Sequence, residues 1–203
     1  HGWPLRAAIA LACAFSRAAV PLPYSRSATT SRAVRICSGL LASMMASQAS
    51  IASRTRAKCD KIIASVHEKK AMKQAGVLEG HALDALDIEA TKALITSTKS
   101  EIVINVGTAF LNMSVLRACM DTGVAYIDTA IHEEPGKVCE TPPWYGNYEW
   151  NHLEECKQKN ITAILGVGFD PGVVNAYAAL AQQQHFDHID SIDILDVNAG
   201  SHG

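Results

Sequence analysis

A chain of 203 residues, 48% of them apolar, can bury the core of one large domain, or of one domain and part of another. Its net charge of −2 argues against a broad nucleic-acid surface, which needs clustered Lys and Arg, and no apolar run reaches the roughly 18 residues that span a bilayer. The six cysteines, Cys13, Cys37, Cys59, Cys119, Cys139 and Cys156, show no CxxC spacing, and the length is wrong for a disulfide-stapled mini-domain, which favours reduced thiols in the cytoplasm.

Residues 1–48 differ in kind from the rest. They contain Arg6, Arg17, Arg26, Arg32 and Arg35 but no Asp, Glu or Lys. Three readings compete. The segment could be an organellar transit peptide, Arg- and Ser-rich and acid-poor, which would make the protein organelle-targeted. It could be a signal peptide with residues 7–15 as its apolar core. The favoured reading is a non-homologous leader, disordered or translated out of frame. It ends where an α/β pattern starts in mid-unit, and a targeting peptide should precede a complete domain. Met44-Met45 can be encoded only as ATG-ATG, and a neighbouring frame of that run reads Asp-Gly, a turn signal of the kind that precedes a strand.

Residues 49–55 read as a short strand that ends in a polar turn, Ser53-Arg54-Thr55. In a dinucleotide-binding βαβ unit the turn after the second strand meets the ribose of the adenosine half. An acidic residue there would bind a free 2′-hydroxyl. Arg54 suits a 2′-phosphate instead, because its planar fork donates two parallel charge-assisted hydrogen bonds. The Gly-x-Gly-x-x-Gly loop expected about 20 residues earlier is absent.

Helix and strand alternate from there, which predicts a mostly parallel sheet covered by helices. Residues 56–69 carry apolar side chains at helical spacing, and 77–82 read as a strand. Residues 87–96 form a predicted helix with Asp87 as N-cap. Residues 102–107 are the clearest buried strand, a continuous apolar run ending in Asn and Gly. A helix over 112–122 is stopped by Gly123, and a strand follows over 124–128. Residues 134–145, with three prolines and one glycine, read as a loop. A helix over 147–159, a strand over 161–165, a helix over 172–184 and a strand over 191–197 complete the pattern.

Ligands of open α/β sheets bind beyond the carboxyl ends of the strands. Four such ends carry suitable residues: Ser53-Arg54, Asp84-Ala85, Asn105 with Gly107 and Thr108, and Asp128-Thr129. Asp84 reads equally as a turn residue and Asn105 as a cap. Gly166 to Gly172 mimics a dinucleotide loop, but Pro171 occupies the third glycine position and suits the first turn of a helix. The helix behind it could still face a polar ligand. His132, beside Glu133 and Glu134, is a weak catalytic candidate for moving protons, and a surface loop is the blander alternative. His152 and Cys156 lie one helical turn apart but lack a third ligand, so no metal site is assigned. Trp144, Tyr145, Tyr148 and Trp150 form an aromatic cluster that packs the excursion onto the domain or covers a cofactor.

The stretch over 102–128, Thr129-Ala130-Ile131-His132-Glu133-Glu134-Pro135, Glu140-Thr141-Pro142-Pro143-Trp144-Tyr145-Gly146-Asn147-Tyr148-Glu149-Trp150, and Gly168-Phe169-Asp170-Pro171-Gly172 resemble the saccharopine dehydrogenase-like superfamily, and within it the carboxynorspermidine synthase family. The resemblance covers residues 51–203. It implies an NADP-dependent oxidoreductase acting on CH–NH bonds in polyamine biosynthesis. Aspartate β-semialdehyde and a diamine, 1,3-diaminopropane or putrescine, would form an imine that is reduced to a carboxy-polyamine. It also implies that Gly168, Phe169 and Asp170 border the nicotinamide end of NADPH, while Asn105, Gly107, Thr108, Asp128 and Thr129 lie where nicotinamide and ribose would go. The parent protein is expected to be a cytoplasmic homodimer with no nucleic-acid or membrane partner.

The expected architecture is therefore a Rossmann-like α/β sheet, incomplete because its first strand and glycine loop are missing. Residues 49–188 would be the partial NADP-binding domain, and 189–203 the first strand of a second, α+β substrate domain. Without the central strand the polypeptide is expected to bind NADPH poorly and to be inactive. A non-catalytic NADP-sensing or scaffold protein on the same fold, or another reductase of the superfamily, are the alternatives.

Overall fold

A computed structural model describes residues 7–11, 48–68, 77–134 and 146–195 of the chain. Its elements run β1 (Ala7–Leu11), β2 (Gln48–Ser53), α1 (Arg56–Glu68), β3 (Val77–Ala82), α2 (Ile88–Thr98), β4 (Ile102–Asn105), a 3₁₀ turn (Ala109–Leu111), α3 (Asn112–Thr122), β5 (Ala125–Asp128), α4 (Asn147–Trp150), α5 (Leu153–Gln158), β6 (Ala163–Ile164) and α6 (Val173–Gln184). The six strands form one sheet in the order β3-β2-β1-β4-β5-β6, and every pairing is parallel. Strand order reverses between β1 and β4, the switch point of a doubly wound fold.

One expectation from the sequence needs correction. The first-strand position, expected to be vacant, is filled by Ala7–Leu11. These residues pair with β2 on one side and β4 on the other. The run Ala-Ala-Ile-Ala-Leu is short, uncharged and apolar, as a central parallel strand requires. Read from sequence it merged with an apolar signal-like segment. Residues 12–47, where a glycine loop would fall, lie outside the described residues; their sequence contains a single glycine, Gly39.

Side chains alternate across the sheet, as the two-residue period of a strand dictates. Ala49 and Ile51 of β2 pack with Cys59, Ile62 and Val66 of α1. Ala52 belongs to a second and larger cluster, with Val103, Val115, Leu116, Cys119, Met120 and Tyr126, against α2 and α3. Helix α2 starts where Asp87 accepts the Ala90 backbone N–H at 2.9 Å, the N-cap read from sequence. Helix α3 stops at Gly123, whose φ of 75° lies in the left-handed region that favours glycine.

The C-terminal part departs from expectation in three places. The single helix expected over 147–159 is two, α4 and α5, separated by Asn151 and His152. Pro171 lies ahead of α6, after a cis Asp170–Pro171 bond, and not in the first turn of the helix. Residues 191–195 form no strand, and Ile192, Ile194 and Leu195 are exposed. The alternating pattern there is strand-like, but among the described residues no neighbour pairs with it. The excursion over 135–145 lies outside the described residues, so Trp144 and Tyr145 do too. No described helix is long and apolar enough to cross a membrane.

Candidate functional site

Register aligns the carboxyl ends of the strands. Leu11 sits opposite both Ala52 and Asn105, Asn105 sits opposite Asp128, and Ser53 sits opposite Ala82. The residues singled out from sequence therefore share one edge of the sheet. They divide into side chains that reach solvent and side chains that turn inward.

Arg54 reaches solvent. It is exposed just past the end of β2 and makes no hydrogen bond or ion pair with the described residues. Its neighbour Arg56 is by contrast committed to Asp60 at 2.9 Å. An exposed guanidinium beside Ser53 and Thr55 has the chemistry to take the 2′-phosphate of NADP, which offers three acceptor oxygens to its fork. Phe169 and Asp170 are also exposed, and Thr108, Thr129, Gly107 and Gly168 are half-buried. His132 is 9% exposed; its Nδ1 lies 3.0 Å from the Ala109 carbonyl and its ring meets Tyr148 edge-on at 4.8 Å. That carbonyl can only accept, so Nδ1 carries the hydrogen and Nε2 is the atom left to exchange one.

At the β3 end, Asp84 closes a local turn. Its Oδ1 accepts the Leu86 N–H at 3.1 Å and its carbonyl accepts the Asp87 N–H at 3.0 Å. The Ala85 carbonyl accepts the Ser114 hydroxyl of α3 at 2.7 Å. Asp84 thus serves as the turn residue that its sequence context allowed.

Asn105 and Asp128 turn inward, at 2% and 0% exposure. Asn105 Oδ1 accepts the Gly107 N–H at 3.0 Å, and its Nδ2 donates to Asn112 Oδ1 at 2.8 Å. Asp128 Oδ1 accepts the Gly166 N–H at 2.6 Å, and its Oδ2 lies 3.2 Å from Asn112 Nδ2. Burial pushes the Asp128 carboxyl up to about 6, helped by the nearby Glu149 and opposed by the Gly166 N–H and the Tyr126 hydroxyl. The Tyr126 phenol is raised well above its ordinary value by burial and by Asp128. It sits beside Asn105 and Asp128 without a hydrogen bond of normal geometry among the described residues.

The loop after β6 closes over this edge. The Val167 N–H donates to the Asp128 carbonyl at 2.9 Å, and Gly168 lies so close that an added Cβ would run into the Thr129 carbonyl oxygen. Any side chain at residue 168 would push the loop off β5. The carboxyl ends of β4, β5 and β6 lie along one edge of the sheet, where Gly168 packs against Thr129.

The sequence reading missed Asn112, Tyr126 and Glu149. Asn112 and Glu149 are helical in sequence and look like ordinary surface polar residues; only the tertiary structure buries them, at 1% and 3% exposure. The one signal available was Asn at the first position of a helix that follows a polar strand end.

Comparison with known proteins identifies the class. Residues 35–164 match the saccharopine dehydrogenase NADP-binding domain, and the chain belongs to that family. NADP is accordingly the cofactor of this fold. The chain is 42% identical over 154 residues to carboxynorspermidine synthase of Vibrio alginolyticus, which covers 75% of this chain and 37% of that protein. It is 37% identical over 153 residues to carboxyaminopropylagmatine dehydrogenase of Synechocystis, with 75% and 36% coverage. The chain thus spans little more than a third of the length of these relatives. Among solved structures, apo saccharopine dehydrogenase (L-Glu forming) of Saccharomyces cerevisiae superposes with a TM-score of 0.57 at 14% identity, over 88% of this chain and 31% of that one, which shows a shared fold.

Proposed function

We propose that this chain is the NADPH-binding portion of a reductase that joins aspartate β-semialdehyde to a diamine, 1,3-diaminopropane or putrescine, and reduces the resulting imine to a carboxy-polyamine. The observation that carries the substrate reading is the 42% identity to a carboxynorspermidine synthase over three quarters of the chain. The cofactor reading rests on Arg54, exposed at the end of β2 and without a partner among the described residues.

Arg54 and Ser53 hold the 2′-phosphate in this reading. The level ends of β4 and β5, with Gly107, Thr108 and Thr129, support the nicotinamide half, and Gly168 to Asp170 shield it from water. NADPH supplies the hydride when bound. The reduced nitrogen also needs a proton, and Nε2 of His132, the ring nitrogen not engaged by the Ala109 carbonyl, is the atom to deliver it. Binding to the chain alone is weaker than micromolar in this reading, because the sequence between β1 and β2 holds one glycine, Gly39, and no Gly-x-Gly-x-x-Gly motif.

Calorimetric titration tests the cofactor reading. The chain should prefer NADPH to NADH by about tenfold or more, and Arg54→Ala should abolish the preference, since a charge-assisted pair is worth about 1.5–3 kcal/mol. Equal affinity of the unaltered chain for both cofactors would refute it. For the substrate reading, disrupting the encoding gene should deplete carboxy-polyamine in cell extracts, and an unchanged pool would refute it.

A further inference from the structure

A buried polar hub lies beneath the ends of β4 and β5, centred on Asn112. Its Oδ1 accepts from Asn105 of β4 at 2.8 Å. Its Nδ2 lies 2.6 Å from the Ala130 carbonyl, 3.1 Å from Glu149 Oε1 and 3.2 Å from Asp128 Oδ2. An amide nitrogen carries two hydrogens, so three acceptors compete for them. Glu149 Oε1 also accepts the His132 backbone N–H. Its Oε2 is buried with no partner among the described residues.

Burying an incompletely paired carboxyl is unfavourable, and an apolar side chain of similar volume would fill the space at lower cost. What the polar set adds is direction. Through Asn105 the hub fixes the turn to Gly107, because the other end of that amide accepts the Gly107 N–H. Through Ala130 and His132 it fixes the chain immediately beyond Thr129. These are the two backbone segments on which the nicotinamide half of the dinucleotide rests in the proposed function. The adenosine half rests elsewhere, at Ser53 and Arg54 on β2.

We propose that Asn112 and Glu149 are positioning residues for the nicotinamide half of NADPH, acting through the backbone of residues 105–108 and 129–132 without touching the ligand. The inference rests on the NADPH reading above and extends it to residues outside the strand ends.

The test uses the full chain and nuclear magnetic resonance titrations with two probes, NADPH and adenosine 2′-monophosphate, which carries only the half that Arg54 would bind. Asn112→Ala and Glu149→Ala should each weaken NADPH by about tenfold, the loss of roughly one buried hydrogen bond, and leave adenosine 2′-monophosphate within twofold. Glu149→Gln keeps an oxygen acceptor for both N–H groups and should restore NADPH affinity. Parallel weakening of both probes, no weakening at all, or failure of Gln to rescue would overturn the proposal. So would an unaltered chain that binds NADPH no better than the fragment. An unaltered chain that binds neither probe would instead remove the NADPH reading on which the proposal stands, so the two failures are distinct.

Discussion

Replacing Asp128 by Asn should flatten the part of the stability–pH profile that falls between about pH 4 and pH 7. Asp128 is fully buried, and its carboxyl is raised from 3.8 to about 6, first by desolvation and then by the neighbouring Glu149. A carboxyl whose folded pKa exceeds its unfolded value binds protons more tightly when folded. Stability from this group is therefore greatest at low pH and falls as pH rises from about 4 through about 6, then levels off. A rise of roughly two units corresponds to about 3 kcal/mol across that window. In a domain of this size that is roughly 6–12 °C in melting temperature. The substituted amide cannot titrate, although its NH₂ group would face Asn112 donor to donor and lower stability at every pH. The informative quantity is thus the difference in melting temperature between the parent chain and Asp128→Asn, measured by calorimetry at several pH values. It should be largest at about pH 4 and shrink toward pH 7. A pH-independent difference, or one that grows with pH, would show that Asp128 is not the buried acid its surroundings define.

Further substitutions probe the frame around the site. Gly168→Ala should cost about 1–3 kcal/mol in urea unfolding, because the new methyl meets the Thr129 carbonyl and the loop must shift; an unchanged midpoint would show that the loop does not close on β5. Asp87→Ala should cost about 1 kcal/mol through loss of the bond to the Ala90 N–H. Leu116→Ala, at a site 1% exposed in the larger core cluster, should cost about 2–5 kcal/mol in the same assay.

The alternation of strand and helix was legible because each element announces itself locally. Asp87 caps where a cap was read, Gly123 stops α3, and the apolar run at 102–105 becomes a buried strand. The position of Arg54 just past the end of β2 was legible because it depends only on a short turn after a strand. The placement of β1 was not, since five small apolar residues are equally at home in a signal-like segment. The inward turn of Asn105 and Asp128 was not legible either. A polar side chain at a strand end looks the same in sequence whether it faces a ligand or a buried amide, and that depends on Asn112 and Glu149 arriving from distant helices.

The position of β1 has a consequence for how the chain assembles. The units β2–α1–β3 and β4–α3–β5 are each made of neighbouring segments, so they can form early. The strand between them pairs Ala8 with Ala49 and with Ile102, contacts that require two long loops to close. The two halves of the sheet therefore wait for a keystone from the far end of the chain. Until it arrives each presents an open inner edge, so refolding yield should fall as protein concentration rises, because a strand of another molecule can take the same place.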